Sequence, residues 1–114
     1  MVIQLNEKVH IITRRLFEGD LRRHFAGVVE DVAGPNIRVK GFAFVYDEAT
    51  YEFVRRKDVR IRIFPISDAG VIINLLPSSA KLANITYKID EIGHRIVTDG
   101  ESFAMNINEF SAKH

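Results

Sequence analysis

Residues 59–64 read VRIRIF, and this alternation constrains the fold more than any other feature of the chain. Val59, Ile61 and Ile63 fall on one face, and Arg60, Arg62 and Phe64 on the other. A period of two is the signature of a β-strand, because successive side chains leave a pleated backbone on opposite sides. A helix would scatter the same residues around its axis.

The same kind of segment recurs along the chain, separated by turn residues. KVHIITRRLF (8–17) and LRRHFAGVVEDV (21–32) flank Glu18-Gly19-Asp20 and read as a hairpin. Ala33-Gly34-Pro35-Asn36 is a second turn, and NIRVKGFAFVYD (36–47) a third long strand. A loop at 47–50 leads to TYEFVRR, which Lys57-Asp58 interrupts before VRIRIF. Pro65 ends that ladder, and SDAG introduces VIINLL, read as a short, mostly buried strand. PSSAKLAN is the best candidate for a helical turn, with Ser78 or Ser79 as N-cap. NITYKIDE, RIVTD and SFAMNINEF supply the last strands, with Asp99-Gly100 as a two-residue hairpin signal. Gly27 and Gly41 fall inside strands, where they mark bends.

These segments predict an all-β protein. The expected architecture is a small antiparallel up-and-down β-barrel of about eight strands, with a partly open sandwich as the alternative. At most one or two short helical turns are expected. The 114 residues correspond to a single domain, 1–114.

Composition excludes several function classes. There is no cysteine, which removes disulfides, thiolate nucleophiles and Cys-based metal sites. The N-terminus has no basic region followed by a long apolar run, and no apolar run is long enough to span a bilayer, so a cytoplasmic location and no membrane partner are expected. The four histidines are scattered without metal-ligand spacing, no glycine-rich phosphate loop or G-x-S-x-G elbow occurs, and Asp90-Glu91 and Asp99-Gly100-Glu101 read as turn carboxylates. No catalytic residue, metal or cofactor is predicted. PilZ-type cyclic-dinucleotide receptors also pair an arginine motif with a small barrel, but their Asp/Asn-x-Ser-x-x-Gly is not matched by Glu30-Asp31-Val32-Ala33-Gly34, and that comparison fails.

Charge is small overall, +1, but unevenly placed. Residues 1–65 hold 12 Lys and Arg against 9 Asp and Glu, and ten of the sixteen basic residues are arginine. Arginine favours planar, bidentate contacts to carboxylate or phosphate. Two sites are candidates. At the first hairpin end, Arg15 faces Arg23 in one register; in the neighbouring one Arg14 faces Arg23 and Arg15 faces Arg22. Arg14, Arg15, Arg22, Arg23 and His24 form a candidate anion site against the alternative of ordinary surface ion pairs. In FAFVYDEATYEFVRR, placing Tyr46 opposite Tyr51 collects Phe42, Phe44, Tyr46, Tyr51 and Phe53, with Arg55, on one face. Aromatic rings among basic residues suit single-stranded nucleic acid, and they equally suit a core. The opposite face, with Gly41, Ala43, Val45, Val54 and Glu52, is half apolar and predicts a homo-oligomer.

The residues therefore favour a non-catalytic binding or assembly module that contacts an anionic partner (nucleic acid, phosphate or acidic protein) through the arginine-rich hairpin end. A barrel holding a small apolar or amphipathic ligand is the alternative. An enzyme ranks last.

Overall fold

The structure, a computed structural model, describes residues 2–15, 17 and 22–107. The described chain is all-β apart from one 3-10 turn, and no helix among these residues is long and apolar enough to cross a membrane. Nine strands form: β1 (Lys8–Thr13), β2 (Arg23–Ala33), β3 (Asn36–Asp47), β4 (Glu52–Arg55), β5 (Arg60–Pro65), β6 (Val71–Leu75), β7 (Thr86–Ile89), β8 (Arg95–Thr98) and β9 (Ala104–Asn106). Every pairing is antiparallel.

They make two sheets, not the closed barrel that the turn spacing suggested. The larger runs β4-β3-β2-β1-β6, with β5 also on β3, and the smaller runs β7-β8-β9. The reason lies in β3. Its 12 residues exceed what either partner can cover, so Asn36–Gly41 pair with β5 and Phe44–Asp47 with β4 along the same edge. The chain is thereby spent on a branched edge instead of on barrel closure.

The backbones of β2 and β3 approach closely at a facing pair of glycines. Gly27 and Gly41 face each other in that ladder. A Cβ on Gly41 would drive into the Ala26 carbonyl oxygen and the Gly27 Cα, and one on Gly27 into the Lys40 carbonyl. Only glycine permits this approach. A register shift between Val29 and Asp31 adds a bulge and a bend.

Both faces of the large sheet are covered. On the concave face Val9, Ile11, Phe25, Val29, Ile37, Val39 and Phe64 form one core, with partly buried Val71 and Ile73 of β6 against it. On the other face Ile12, Ala26 and Phe44 pack against Leu76, Ala80, Ile85, Val97 and Ile107, where the small sheet docks. The barrel interior that the alternative reading needs does not form, because the two sheets do not close on each other.

Several local expectations are corrected. The β1–β2 ladder places Thr13 opposite Arg23, so no arginine faces Arg23 in either way expected. The hairpin tip, Glu18-Gly19-Asp20, lies outside the described residues, as does the tail from Asn108. The 3-10 turn falls at Leu82–Asn84 with Lys81 before it, and neither Ser78 nor Ser79 caps it. VIINLL is only partly buried, since β6 is an edge strand. Thr98 pairs with Ala104, so five residues form the turn that Asp99-Gly100 was expected to close alone. Asp99 is the cause. Its Oδ1 accepts the amides of Glu101 at 2.9 Å, Ser102 at 2.7 Å and Phe103 at 3.3 Å, and its Oδ2 accepts that of Lys81 at 2.9 Å. Burial alone would raise this carboxyl, but the four backbone donors outweigh it and hold its pKa well below the usual carboxylate range.

Candidate anion-binding site

The VRIRIF alternation turns out inverted relative to polarity. Ile37 and Val39 of β3 point into the concave core, and the ladder pairs them with Phe64 and Arg62, while Gly41 pairs with Arg60. Residues opposite each other in a ladder share a face. Phe64 therefore enters the core and brings Arg62 and Arg60 inward with it. Ile61 and Ile63 are left 58% and 68% exposed. Placing arginine inside and isoleucine outside runs against the hydrophobic effect, and such local conflicts concentrate at functional sites.

The half-buried Arg60 and Arg62 line a cleft together with two exposed arginines. Arg23 from the start of β2, Arg56 just after β4, and Arg60 and Arg62 from β5 surround a space of about 310 Å³ with Ala43 and Val45 in its wall. Arg56 is held there by its amide, which donates to the Ala43 carbonyl at 2.8 Å. The Arg62 guanidinium lies 5.6 Å from the centroid of the Phe25 ring, over the edge of the concave core. Partial burial lowers the pKa of Arg62 from its ordinary value, and the positive charges of Arg60 and Arg23 add to that effect.

Among the described residues, none of these four arginines makes an ion pair. The Nε of Arg60 is buried and has no hydrogen-bond partner among the described residues. A buried donor without an acceptor is costly, and in a native fold it marks a place where something is accommodated. The contrast with the opposite side of the sheet is informative. A wider groove there, of about 620 Å³, also contains Arg38 and Lys40, but Arg38 reaches Glu30 and Asp31, each at 3.6 Å.

The anion site expected from the first hairpin divides between the two faces of β2. Arg23 joins the cleft. Arg22 is exposed on the other side, its guanidinium 5.4 Å from the Tyr46 ring centroid. Arg14 is exposed and its amide donates to the Gly70 carbonyl, while Arg15 is half-buried. His24 does not belong to an anion site at all. It is buried, and burial together with the nearby His10, Arg95 and Arg22 lowers its pKa to about 3.

The aromatic face is displaced by two residues from the expected pairing. Tyr46 lies opposite Phe53, and Phe44 opposite Arg55. An even shift preserves facing, so Phe42, Phe44, Tyr46 and Phe53 remain together. Tyr51 is lost from the set: it sits in the turn at φ 59° and is 73% exposed. The remaining rings pack at the small sheet. Phe44 is buried, Phe53 stacks on Tyr87 at 4.5 Å, Arg95 covers Tyr46 and Phe53 at 5.3 and 5.5 Å, and Arg55 covers Phe42 at 5.0 Å while bonding the Ala83 carbonyl. These rings do not form an open stacking platform. The face expected to carry a homo-oligomer is also split, because Gly41 and Ala43 are buried inside the molecule.

One polar cluster was not foreseen. Tyr87 Oη lies 2.8 Å from Nε2 of His10 and 2.8 Å from Nδ1 of His24. The two histidines sit on adjacent strands and the tyrosine on the other sheet. The sequence placed His24 in the anion site instead, and the meeting of both histidines with Tyr87 depends on how the sheets pack.

Comparison with known proteins returns no matching family model, no matching curated protein and no matching solved structure. A functional reading therefore rests on the arginine cleft itself.

Proposed function

We propose that this protein is a non-catalytic binding module that holds an anionic partner in the cleft formed by Arg23, Arg56, Arg60 and Arg62. The observation that carries the reading is the inward placement of Arg60 and Arg62 with no ion pair to a carboxylate among the described residues, while two isoleucines of the same strand face solvent. A bound anion accepts from the guanidinium groups that line the cleft and relieves the repulsion among them. Titration with phosphate, an acidic peptide and single-stranded RNA, followed by thermal unfolding and fluorescence anisotropy, tests it. Saturable binding that weakens with salt and disappears in the Arg60→Gln/Arg62→Gln double variant is the expected result. Binding that survives this change, or no binding at low salt, removes the proposal.

A second reading, self-association, is favoured by a separate observation. Val59, Ile61 and Ile63 form an exposed aliphatic stripe, and β5 pairs only with β3 among the described strands. Antiparallel pairing of β5 with its copy about Arg62 sets Ile61 of one protomer against Ile63 of the other, as a two-fold interface requires. Sedimentation over a range of protein concentrations tests this reading, and a strictly monomeric protein removes it.

A further inference from the structure

The shape and donor inventory of the cleft narrow the anion it takes. We infer that the ligand is a small molecule carrying a terminal phosphomonoester, not a polyanion lying along the surface. This inference rests on the anion-binding reading above.

Four guanidinium groups offer more donors than one carboxylate can accept. A carboxylate has two oxygens and is satisfied by one or two arginine forks. A phosphomonoester presents three terminal oxygens and approaches a double negative charge at neutral pH. A phosphodiester in a nucleic acid backbone offers only two non-bridging oxygens and one charge, and backbone tracking needs a run of basic residues beside stacking rings. Here the four arginines line one cleft, Arg60 and Arg62 half-buried and Arg23 and Arg56 exposed, and Phe42, Phe44 and Phe53 are packed at the small sheet. The volume of about 310 Å³ fits a phosphoryl group with a short organic body, at the lower end of small-molecule sites. Ala43 and Val45 give that body an apolar wall.

The Arg60 Nε strengthens the assignment. It is a buried donor left without a partner among the described residues, beside a wall that cannot accept a hydrogen bond from its side chains. An oxygen inserted among the guanidinium groups supplies that acceptor once the Arg60 side chain turns its Nε toward the cleft.

Isothermal titration of the full chain with phenyl phosphate, diphenyl phosphate and benzoate tests the class. A second arm compares a 5′-phosphorylated oligonucleotide with the same oligonucleotide ending in a hydroxyl, which separates a free small ligand from a nucleic-acid end. Phenyl phosphate is expected to bind at least about tenfold more tightly than either comparator, because it alone brings the second charge and third oxygen. Its affinity is expected to rise from pH 5 to pH 7.5 as the phosphate loses its second proton near pH 6. Arg62→Gln and Arg60→Gln are each expected to weaken it severalfold, with folding verified by circular dichroism.

If diphenyl phosphate or the hydroxyl-ended oligonucleotide binds as tightly, and through the same arginines, the phosphomonoester assignment is overturned while the anion-binding reading stands. If only the phosphorylated oligonucleotide binds, the small-molecule source is overturned. If no anion depends on Arg60 and Arg62, both readings fall.

Discussion

His10 and His24 meet edge to face in the interior, their ring centroids 5.1 Å apart and their planes at 89°. Two imidazoles at this distance cannot both carry charge in a buried site. Burial lowers the pKa of His10 to about 4, and burial with neighbouring positive charge lowers that of His24 to about 3. Unfolded histidine titrates near 6.5. Between these values the unfolded chain binds more protons, so the pair's contribution to stability is intact above about pH 7 and declines steadily as pH falls below about 6.5. The loss by pH 4 is on the order of a few kcal/mol. Proton NMR of the imidazole C–H groups checks the cause: the His10 and His24 signals stay in the neutral form at pH 5.5 in the folded protein.

Tyr87→Phe removes the hydroxyl that both histidines share. Its single proton goes to one ring while its oxygen accepts from the other. His10 Nδ1 has no partner among the described residues, and leaving it a lone pair instead of an N–H puts the proton on Nε2, which then donates to Tyr87. Tyr87 in turn donates to His24 Nδ1. Breaking this relay strands two buried nitrogens, and a loss of roughly 2 kcal/mol or more is expected in urea unfolding.

Gly41→Ala acts through sterics alone. The new methyl group meets backbone of β2, which no rotamer change relieves. The expected loss is about 3 kcal/mol or more, measured by thermal unfolding, whereas Gly34→Asn, at φ 57° in an open turn, is tolerated.

Arg62→Met separates binding from stability. It keeps an unbranched stem over Phe25 and removes a charge that Arg60 and Arg23 oppose. The unfolding temperature of the ligand-free protein is expected to rise while anion binding weakens severalfold. A structural role for Arg62 gives the opposite sign.

Ile61→Thr/Ile63→Thr leaves β-branched residues on the exposed stripe but removes most of its apolar surface. If copies associate through this strand, sedimentation shows weaker association at unchanged stability. The buried face of Gly41 and Ala43 plays no part.

Period-two patterning was enough to establish an all-β chain, and it placed β3 at Asn36–Asp47, because alternation and turn chemistry are local properties. It also put Phe42, Phe44, Tyr46 and Phe53 on one face, since a two-residue error in pairing leaves facing intact. The direction of that face was decided by tertiary structure. So was the fate of VRIRIF: alternation reveals two faces without saying which is inside, and the pairing of Phe64 with Ile37 turned the arginines inward. The sequence named Arg23 for an anion site from its neighbours in the chain, but Arg56, Arg60 and Arg62 join it only through strand pairing. Residues more than thirty positions apart converge there because β3 pairs with β2 on one edge and with β4 and β5 on the other, a long-range arrangement that no local pattern encodes.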